Sequence, residues 1–270
     1  MRIGQKDFNL ENHCYVMGIL NVTPDSFSDG GKWNGLDQAL RHTEQMLADG
    51  MDVVDIGGES TRPGYTKISD QEEIDRVVPV IEAVKARFDV PISLDTYKAG
   101  VAKAGVEAGA DLINDIWGCK YEPKIADVIA DSGVACVLMH NKKKAEYQDY
   151  LKDVVKELGE SVAIAKAAGV ADDRIILDPG IGFGKTYENN LELTYHVDAL
   201  KELGYPILLG TSRKSMIGLA LDLPVDQREE GTLVTTVIGV LKGCCFVRVH
   251  DVKANKRAIR MTEALMGREE

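Results

Sequence analysis

The sequence lacks several features that would place the protein outside the cytosol. Its five cysteines are scattered and show no CxxC or Cys/His spacing, so we expect neither a structural zinc site nor a disulfide framework. No apolar run approaches the roughly 20 residues that a membrane-spanning helix needs. The N-terminus has no basic region followed by an apolar segment, as a secretory signal would. We therefore expect a cytosolic protein without a membrane span.

Positive charge is also scarce. Lys and Arg number 32 against 43 Asp and Glu, a formal net charge of -11, which argues against a general nucleic-acid-binding surface. A small cationic pocket is compatible with this balance, because net charge describes the whole surface. No Gly/Ser-rich linker divides the chain, so we expect residues 1–270 to form one domain, with residues 1–14 as an N-terminal hairpin or lid.

Eight short runs rich in Val, Ile and Leu predict β-strands. They are apolar at successive positions, which is typical of strands in a parallel sheet that is covered on both faces. The predicted strands are residues 15–20, 52–56, 92–94, 111–114, 134–139, 174–177, 206–209 and 245–249.

Amphipathic segments alternate with these strands and predict helices. The clearest is the apolar stripe between Ile74 and Phe88, preceded by a capping box from Ser69 to Glu72 and interrupted by Pro79, which we expect to kink the helix or disrupt its first turns. Eight β/α units in 270 residues favour an α/β fold of the (β/α)8 TIM barrel type, with a doubly wound open sheet as the alternative. The other predicted helices are residues 146–168, 188–203, 229–242 and 252–266.

If the barrel is correct, the functional residues lie at the carboxyl ends of the strands. Asp95, Asn114 and Asp178 close three of the predicted strands, so their side chains should converge in the barrel mouth. Such an acceptor-rich floor suits a flat heterocycle that carries several N–H donors, such as an aminopyrimidinone ring. The alternatives are a structural polar network above the barrel core and a divalent-metal cage.

Positive side chains are predicted on the same rim. Lys214, Arg248 and His250 follow the last two strands, and Arg62 lies on the second strand-end loop. Loops seven and eight form the usual phosphate-binding corner of this barrel, so these residues suit a phosphate or pyrophosphate group. Phe183 lies in the glycine-rich stretch 178–184 and is either a stacking face for a flat ligand or a packing residue.

Two motifs together resemble the signature pair of the bacterial dihydropteroate synthase family. The first is Asn-Val-Thr-Pro-Asp-Ser-Phe-Ser-Asp-Gly-Gly at residues 21–31, and the second is Gly-Gly-Glu-Ser-Thr-Arg-Pro-Gly at residues 57–64. One departure is Asn-Lys-Lys-Lys at residues 141–144, where many members carry a Gly/Pro-containing loop. The remaining motifs of the family match residues 93–96, 113–115, 178–184, 211–215 and 248–251.

The resemblance implies a specific reaction. Members condense p-aminobenzoate with hydroxymethyl-dihydropterin pyrophosphate, giving dihydropteroate and pyrophosphate in folate biosynthesis. It further implies Mg²⁺ bound at Asn21, a cytoplasmic homodimer that binds no nucleic acid, and a target for sulfonamides. It assigns catalytic roles to Asp95, Lys214 and Arg248.

The resemblance also assigns binding residues to each part of the substrates. The pterin contacts are Asp95, Asn114, Asp178, Lys214, Phe183 and Met139. The pyrophosphate contacts are Asn21, Arg62, Arg248 and His250. The p-aminobenzoate contacts are Phe27, Thr61, Arg62, Pro63 and Ser215, together with Phe183 and Lys214.

Two other functions are compatible with parts of the pattern. A pterin-dependent methyltransferase of the methyltetrahydrofolate–corrinoid type has a similar barrel and acidic floor but needs no pyrophosphate site, so the motifs at 21–31 and 57–64 favour the synthase. A non-enzymatic pterin-binding or scaffold protein is a third class, and the intact series of polar strand ends argues against it.

Overall fold

A computed structural model describes residues 1–22, 31–59 and 67–268 of the chain, with residues 31–34 described by their backbone only. The predicted p-aminobenzoate contacts Phe27, Thr61, Arg62 and Pro63 lie outside the described residues. No helix among the described residues is long and apolar enough to cross a membrane.

A short antiparallel hairpin precedes an eight-stranded parallel sheet. The hairpin pairs β1 (Arg2–Ile3) with β2 (Lys6–Asp7). The eight strands lie within one or two residues of the predicted bounds. They are β3 (Tyr15–Asn21), β4 (Val53–Gly57), β5 (Ile92–Asp95), β6 (Leu112–Asp115), β7 (Ala135–Met139), β8 (Ile175–Asp178), β9 (Leu208–Leu209) and β10 (Phe246–Val249).

The sheet curls into a barrel. Its hydrogen-bonded order is β8-β7-β6-β5-β4-β3-β10-β9, with every neighbouring pair parallel. The two edges meet where Leu177 pairs with Ile207 and where its amide donates to the Pro206 carbonyl at 2.9 Å. The predicted TIM barrel is therefore confirmed, and the open doubly wound sheet is not formed.

Helices cover the outside of the barrel between successive strands. The short 3-10 segment Val197–Leu203 follows α6, so the single helix predicted at residues 188–203 is wrong, and the chain leaves helical geometry at His196 (φ -108°, ψ 30°). The α-helices are α1 (Gly31–Ala48), α2 (Asp70–Arg87), α3 (Ala99–Ala108), α4 (Lys124–Ser132), α5 (Tyr150–Ala168), α6 (Tyr187–Tyr195), α7 (Ser215–Leu221), α8 (Glu229–Leu241) and α9 (Val252–Leu265).

Only the Ser69 half of the predicted capping box forms at the start of α2, and Pro79 does not interrupt the helix. The Ser69 hydroxyl accepts from the Glu72 amide at 3.2 Å, while the Glu72 carboxylate pairs with Arg76. The helix runs unbroken through Pro79. Proline lacks the N–H that would bond the Asp75 carbonyl, and because Asp75 and Pro79 are both at least partly exposed, water can satisfy that carbonyl.

The packing face of α8 differs from a simple apolar stripe. Periodicity predicts that Leu233, Val237 and Leu241 pack on the barrel, but Leu241 is 52% exposed. The helix instead buries Thr232, Thr236, Gly239 and Val240. Small side chains allow close approach to the sheet, and the Thr236 hydroxyl is satisfied by the Asn255 side chain of α9 at 2.7 Å.

The barrel interior has an apolar end and a polar end. Because side chains alternate between the two faces of a strand, residues two apart on one strand point to the same side. The apolar residue near the strand start is followed two residues later by a polar one at the carboxyl end. The pairs are Val53 and Asp55, Leu112 and Asn114, Ile176 and Asp178, and Phe246 and Arg248.

The hairpin β1–β2 lies at the apolar end. Ile3 and Phe8 pack in one cluster with the buried strand-start residues Met17, Leu112 and Phe246. The Phe8 ring lies 5.6 Å from the Phe246 ring. The N-terminal segment therefore plugs the amino-terminal mouth of the barrel, at the end away from the carboxyl ends of the strands.

Candidate active site

The predicted acceptor floor is assembled at the carboxyl-terminal mouth. Asp95, Asn114 and Asp178 are 8%, 3% and 5% exposed. Asp95 and Asn114 lie side by side in register on β5 and β6, and Met139 is in register with Asp178 on β7 and β8. Two carboxylates and an amide from separate strands therefore line one buried surface, as the strand ends predicted.

Arg248 ties this floor together from β10. Its Nη2 donates to Asp95 Oδ2 at 2.7 Å, and its Nε donates to Asp55 Oδ2 at 2.6 Å. The two neighbouring carboxylates hold the pKa of Arg248 well above its ordinary value. Arg248 is thus first a counter-ion of the floor, with its remaining guanidinium N–H groups available to a ligand.

Asp55 is a floor residue that the sequence reasoning missed. It is fully buried, and besides Arg248 it accepts from the Ser93 hydroxyl and, at 3.5 Å, from Asn114 Nδ2. Because Asp55 engages the Asn114 amide nitrogen, the Asn114 side-chain oxygen is the atom that can still accept a hydrogen bond. The sequence feature that indicates Asp55 is a lone carboxylate inside the otherwise apolar strand Val53–Gly57. A carboxylate is rarely buried in such a strand unless its charge is paired.

Asp95 has the electrostatic signature of a binding group. Burial, reinforced by the nearby charge of Asp55 and opposed by Arg248, raises the pKa of Asp95 to about 7. Its Oδ1 is buried and has no hydrogen-bond partner among the described residues. A buried acceptor left unpaired costs free energy, so this oxygen is placed to receive a donor from a ligand.

Asp178 is partly satisfied by the backbone. Burial raises its pKa to about 6, opposed by the Gly180 amide, which donates to Asp178 Oδ1 at 2.6 Å, and by the cations Lys214 and Arg248. Its second carboxylate oxygen can accept from a ligand in the mouth.

An aromatic and apolar wall stands beside the floor. Met139 packs in a cluster with Tyr97 and Ile116, and the partly buried rings of Trp117 and Phe183 pack against it. Lys214 Nζ lies 4.3 Å from the centre of the Phe183 ring, a cation–π contact. Phe183 is therefore both a packing residue and a face next to the mouth.

The loops after β9 and β10 hold Lys214 and His250 of the predicted rim, whereas Arg62 lies outside the described residues. His250 Nδ1 lies 3.0 Å from the Ser212 hydroxyl. The Arg213 guanidinium makes a two-pronged ion pair with Asp251, which joins the two loops. Lys214 caps the start of α7, whose first residue is the exposed Ser215. Lys214, Ser215 and His250 thus lie on one corner of the rim.

Asn21 ends β3, the strand that pairs directly with β10. It is exposed and in register with Gly57, and a side chain added at Gly57 would contact both Asp95 Cβ, at 3.5 Å, and Asn21 Oδ1, at 3.9 Å. Glycine therefore keeps the space between Asn21 and Asp95 open. No cluster of three His, Cys, Asp or Glu side chains suited to a metal occurs in the described part of the chain.

A Mg²⁺ site does not require such a cluster. Mg²⁺ commonly keeps water and takes one or two protein oxygens together with substrate phosphates. The Asn21 amide oxygen, next to a cationic corner suited to phosphate, fits that pattern.

The fold and site together define an enzyme that binds a flat heterocycle on a buried carboxylate floor and an anionic group on its rim. The chain belongs to the pterin binding enzyme family, whose model matches residues 17–250. It is 59% identical to a dihydropteroate synthase from Clostridium beijerinckii, over 99% of this chain and 100% of the relative.

Solved structures agree with this assignment. A dihydropteroate synthase from Clostridium difficile, crystallised in the presence of pteroic acid, superposes with a TM-score of 0.95 at 46% identity, over 97% of this chain and 100% of that one. A dihydropteroate synthase from Xanthomonas albilineans with 4-aminobenzoic acid gives a TM-score of 0.90 at 42% identity, over 95% and 94%. The predicted family is confirmed, the chain is an enzyme of the transferase class, and the methyltransferase alternative is not favoured.

Proposed function

We propose that this chain condenses p-aminobenzoate with hydroxymethyl-dihydropterin pyrophosphate, giving dihydropteroate and pyrophosphate. The observation that carries the proposal is the buried floor of Asp95, Asn114 and Asp178, with an unpaired oxygen on Asp95. The similarity to dihydropteroate synthases over nearly the whole chain supports the same reaction.

The pterin ring is assigned to the floor and its wall. Its amino and ring N–H groups suit the carboxylates of Asp95 and Asp178, which accept hydrogen bonds and, when ionised, donate none. The Asn114 carbonyl oxygen adds a third acceptor, because Asp55 engages the amide nitrogen. Met139 and Phe183 flank the ring, with Lys214 held over Phe183.

The pyrophosphate is assigned to the rim. The unengaged N–H groups of Arg248, the His250 ring and the predicted Arg62 supply donors and positive charge. Mg²⁺, held by the Asn21 amide oxygen and by phosphate oxygens, would neutralise charge on the departing group.

The chemistry needs positioning and electrostatics more than a strong base. The bond from the pterin methylene carbon to the pyrophosphate oxygen breaks, and the leaving group takes the electron pair. The arylamine nitrogen donates its lone pair to that carbon and then loses a proton. Positive charge that develops on the pterin is favoured by the carboxylates of Asp95 and Asp178, and Arg248 and His250 favour the negative charge on pyrophosphate.

p-Aminobenzoate is assigned to the side of the mouth formed by Phe183, Lys214 and Ser215. The exposed Ser215 at the start of α7 and the Lys214 ammonium suit its carboxylate. The predicted contacts Phe27, Thr61, Arg62 and Pro63 would complete this pocket, and a sulfonamide would compete for it as an analogue of the same acid.

The chain is further proposed to act as one domain and as a cytoplasmic homodimer. Helices α7 and α8 pack side by side and expose the large apolar side chains Leu219, Val234 and Leu241, at 67%, 63% and 52%. Large apolar side chains exposed on neighbouring helices are candidates for an interaction surface, and a second copy of the chain would bury them.

The test is an assay with both substrates, with and without Mg²⁺. We expect dihydropteroate and pyrophosphate to form in equal amounts, to depend on Mg²⁺, and to disappear when either substrate is omitted. The Asp95→Asn variant, which keeps the size of the side chain, should lose most of this activity. Methyl transfer from methyltetrahydrofolate in place of condensation would contradict the proposal.

A further inference from the structure

Lys185 is a partly buried cation that the substrate assignments do not use. It directly follows the glycine-rich turn of residues 178–184, which connects β8 to α6 and carries Asp178 and Phe183. Its Nζ donates to the Gly180 carbonyl at 2.8 Å, to the Phe183 carbonyl at 2.9 Å and to His140 Nδ1 at 2.8 Å. An ammonium group has three N–H donors, so each donor has one close acceptor.

A second interaction determines which ring nitrogen of His140 carries the proton and which accepts from Lys185. His140 Nε2 lies 2.7 Å from Glu157 Oε2, and Glu157 Oε1 accepts from Lys142 Nζ at 2.7 Å. Burial and the charge of Lys185 lower the pKa of His140 to about 3, so the ring is neutral. Its proton must then sit on Nε2 and face Glu157, which leaves the Nδ1 lone pair for Lys185.

The turn is shaped to lie directly on the end of β7. Gly180 (φ 69°) and Gly184 (φ 55°) both have left-handed backbone geometry, and a Cβ at either position would collide with the carbonyl of His140 or of Lys142. The His140 amide also donates to the Asp178 carbonyl at 2.9 Å. Lys185 reinforces this contact, because its ammonium bonds the turn and His140 at once.

We propose that Lys185 is a positioning residue of the pterin site. Its ammonium fixes the 178–184 turn to His140, and this holds Asp178 and Phe183 in place beside Met139, the neighbour of His140. The inference rests on the proposed function, because it assigns the pterin to these three residues.

Carrying a charge on Lys185 costs free energy. Burial, with the cations Lys214 and Lys142, lowers its pKa to about 7, and the carboxylates Asp178 and Glu157 oppose that shift. A neutral amine would have two N–H groups for three acceptors. An uncharged side chain of the same length would serve for packing alone. The three matched acceptors therefore indicate that the site requires the N–H donors of Lys185.

The test compares Lys185→Met with Lys142→Met as a matched control. Both remove an ammonium from the same chain of contacts, but Lys142 bonds Glu157 and the Glu146 carbonyl through its ammonium, which makes no bond to the turn. Affinity for the pterin alcohol is measured by calorimetry, and KM for each substrate and kcat are measured separately. We expect Lys185→Met to lose roughly ten- to hundredfold in pterin affinity and to raise the pterin KM, while Lys142→Met stays within about twofold of the unmodified chain.

A role in folding alone would change the amount of active protein and not the pterin KM. Chemical rescue sharpens the distinction: ethylammonium added to Lys185→Ala should restore pterin affinity, whereas ethanol should not. If Lys185→Met fails to fold, Lys185→Gln, which keeps two N–H donors, should show an intermediate affinity. Unchanged pterin affinity in a folded Lys185 variant overturns the inference, and absence of pterin binding to the unmodified chain contradicts the proposed function instead.

Discussion

The two ends of the barrel interior are built from the same strands and have opposite characters. At the amino-terminal end, Val53, Leu112, Ile176 and Phe246 form a fully buried apolar layer that the N-terminal hairpin seals. Two residues further along the same four strands stand Asp55, Asn114, Asp178 and Arg248. One step of the strand repeat therefore separates the core of the fold from the floor of the site.

The apolar layer and the polar layer contribute differently to the stability of the fold. Burial of apolar side chains stabilises the fold by roughly 1.5–3 kcal/mol per large residue. The polar layer removes three carboxylates from water with Arg248 bonded to two of them, an arrangement that contributes little net stability. Among the described residues, one Asp95 oxygen has no hydrogen-bond partner, and the proposed pterin would supply one.

Removal of an apolar anchor should affect stability and spare binding. Phe246→Ala deletes a ring that is fully buried and packed against Phe8 and Tyr15. We expect the free energy of unfolding to fall by about 3–5 kcal/mol, the usual cost of such a cavity, as measured by urea denaturation. Pterin affinity of the folded fraction should remain unchanged.

Leu265→Ala is the matched control for that experiment, because Leu265 is 76% exposed and its truncation should leave the unfolding free energy within about 0.5 kcal/mol. A large loss of pterin affinity in Phe246→Ala would mean that the two layers are coupled, and the separation drawn between them would be wrong.

A change in the polar layer should have the reverse effect. Asp178→Asn keeps the shape and the acceptor for the Gly180 amide but offers N–H donors where the ligand has donors of its own. We expect pterin affinity to fall roughly ten- to hundredfold, since a charged hydrogen bond contributes about 1.5–3 kcal/mol, with stability equal or higher because a buried charge is gone. Asp131→Asn, on the exposed end of α4, is the control. Full affinity in Asp178→Asn, measured by calorimetry, would remove Asp178 from the floor.

Much of this two-layer design could be predicted from the sequence. Strands that are buried on both faces appear as continuous apolar runs, and the polar residues at their ends indicate Asp95, Asn114, Asp178 and Arg248 as site residues. The same continuity hides which face points inward, so Asp55 was not recognised although it lies two residues after Val53. Its partner Arg248 is 193 residues away, a contact that no local pattern indicates.

Lys185 was missed for a related reason. A lysine after a glycine-rich loop usually points into solvent. Only the fold brings His140, which follows β7, next to the Lys185 ammonium. Helix bounds were predicted less well than strand bounds. The division at His196 and the exposure of Leu241 depend on how each helix meets its neighbours, which periodicity alone does not specify.

The titration of Asp95 offers the finest test of the contrast between the layers, because the apolar layer contains no group that can respond to pH. With a pKa of about 7 in the protein without ligand, Asp95 is mainly ionised at pH 8 and mainly protonated at pH 6. A pterin donor binds the ionised form, so protons compete with the ligand and affinity falls as the pH is lowered. Linkage gives a loss of about tenfold, or about 1.4 kcal/mol, between pH 8 and pH 6.

In Asp95→Asn affinity should be lower throughout, and this component of its pH dependence should vanish, since an amide does not titrate. Titration of the ligand itself is common to both proteins and cancels in the ratio of their dissociation constants. Calorimetry at pH 8 and pH 6 therefore tests this contact. A ratio of the two dissociation constants that does not change with pH would show that Asp95 does not accept from the pterin.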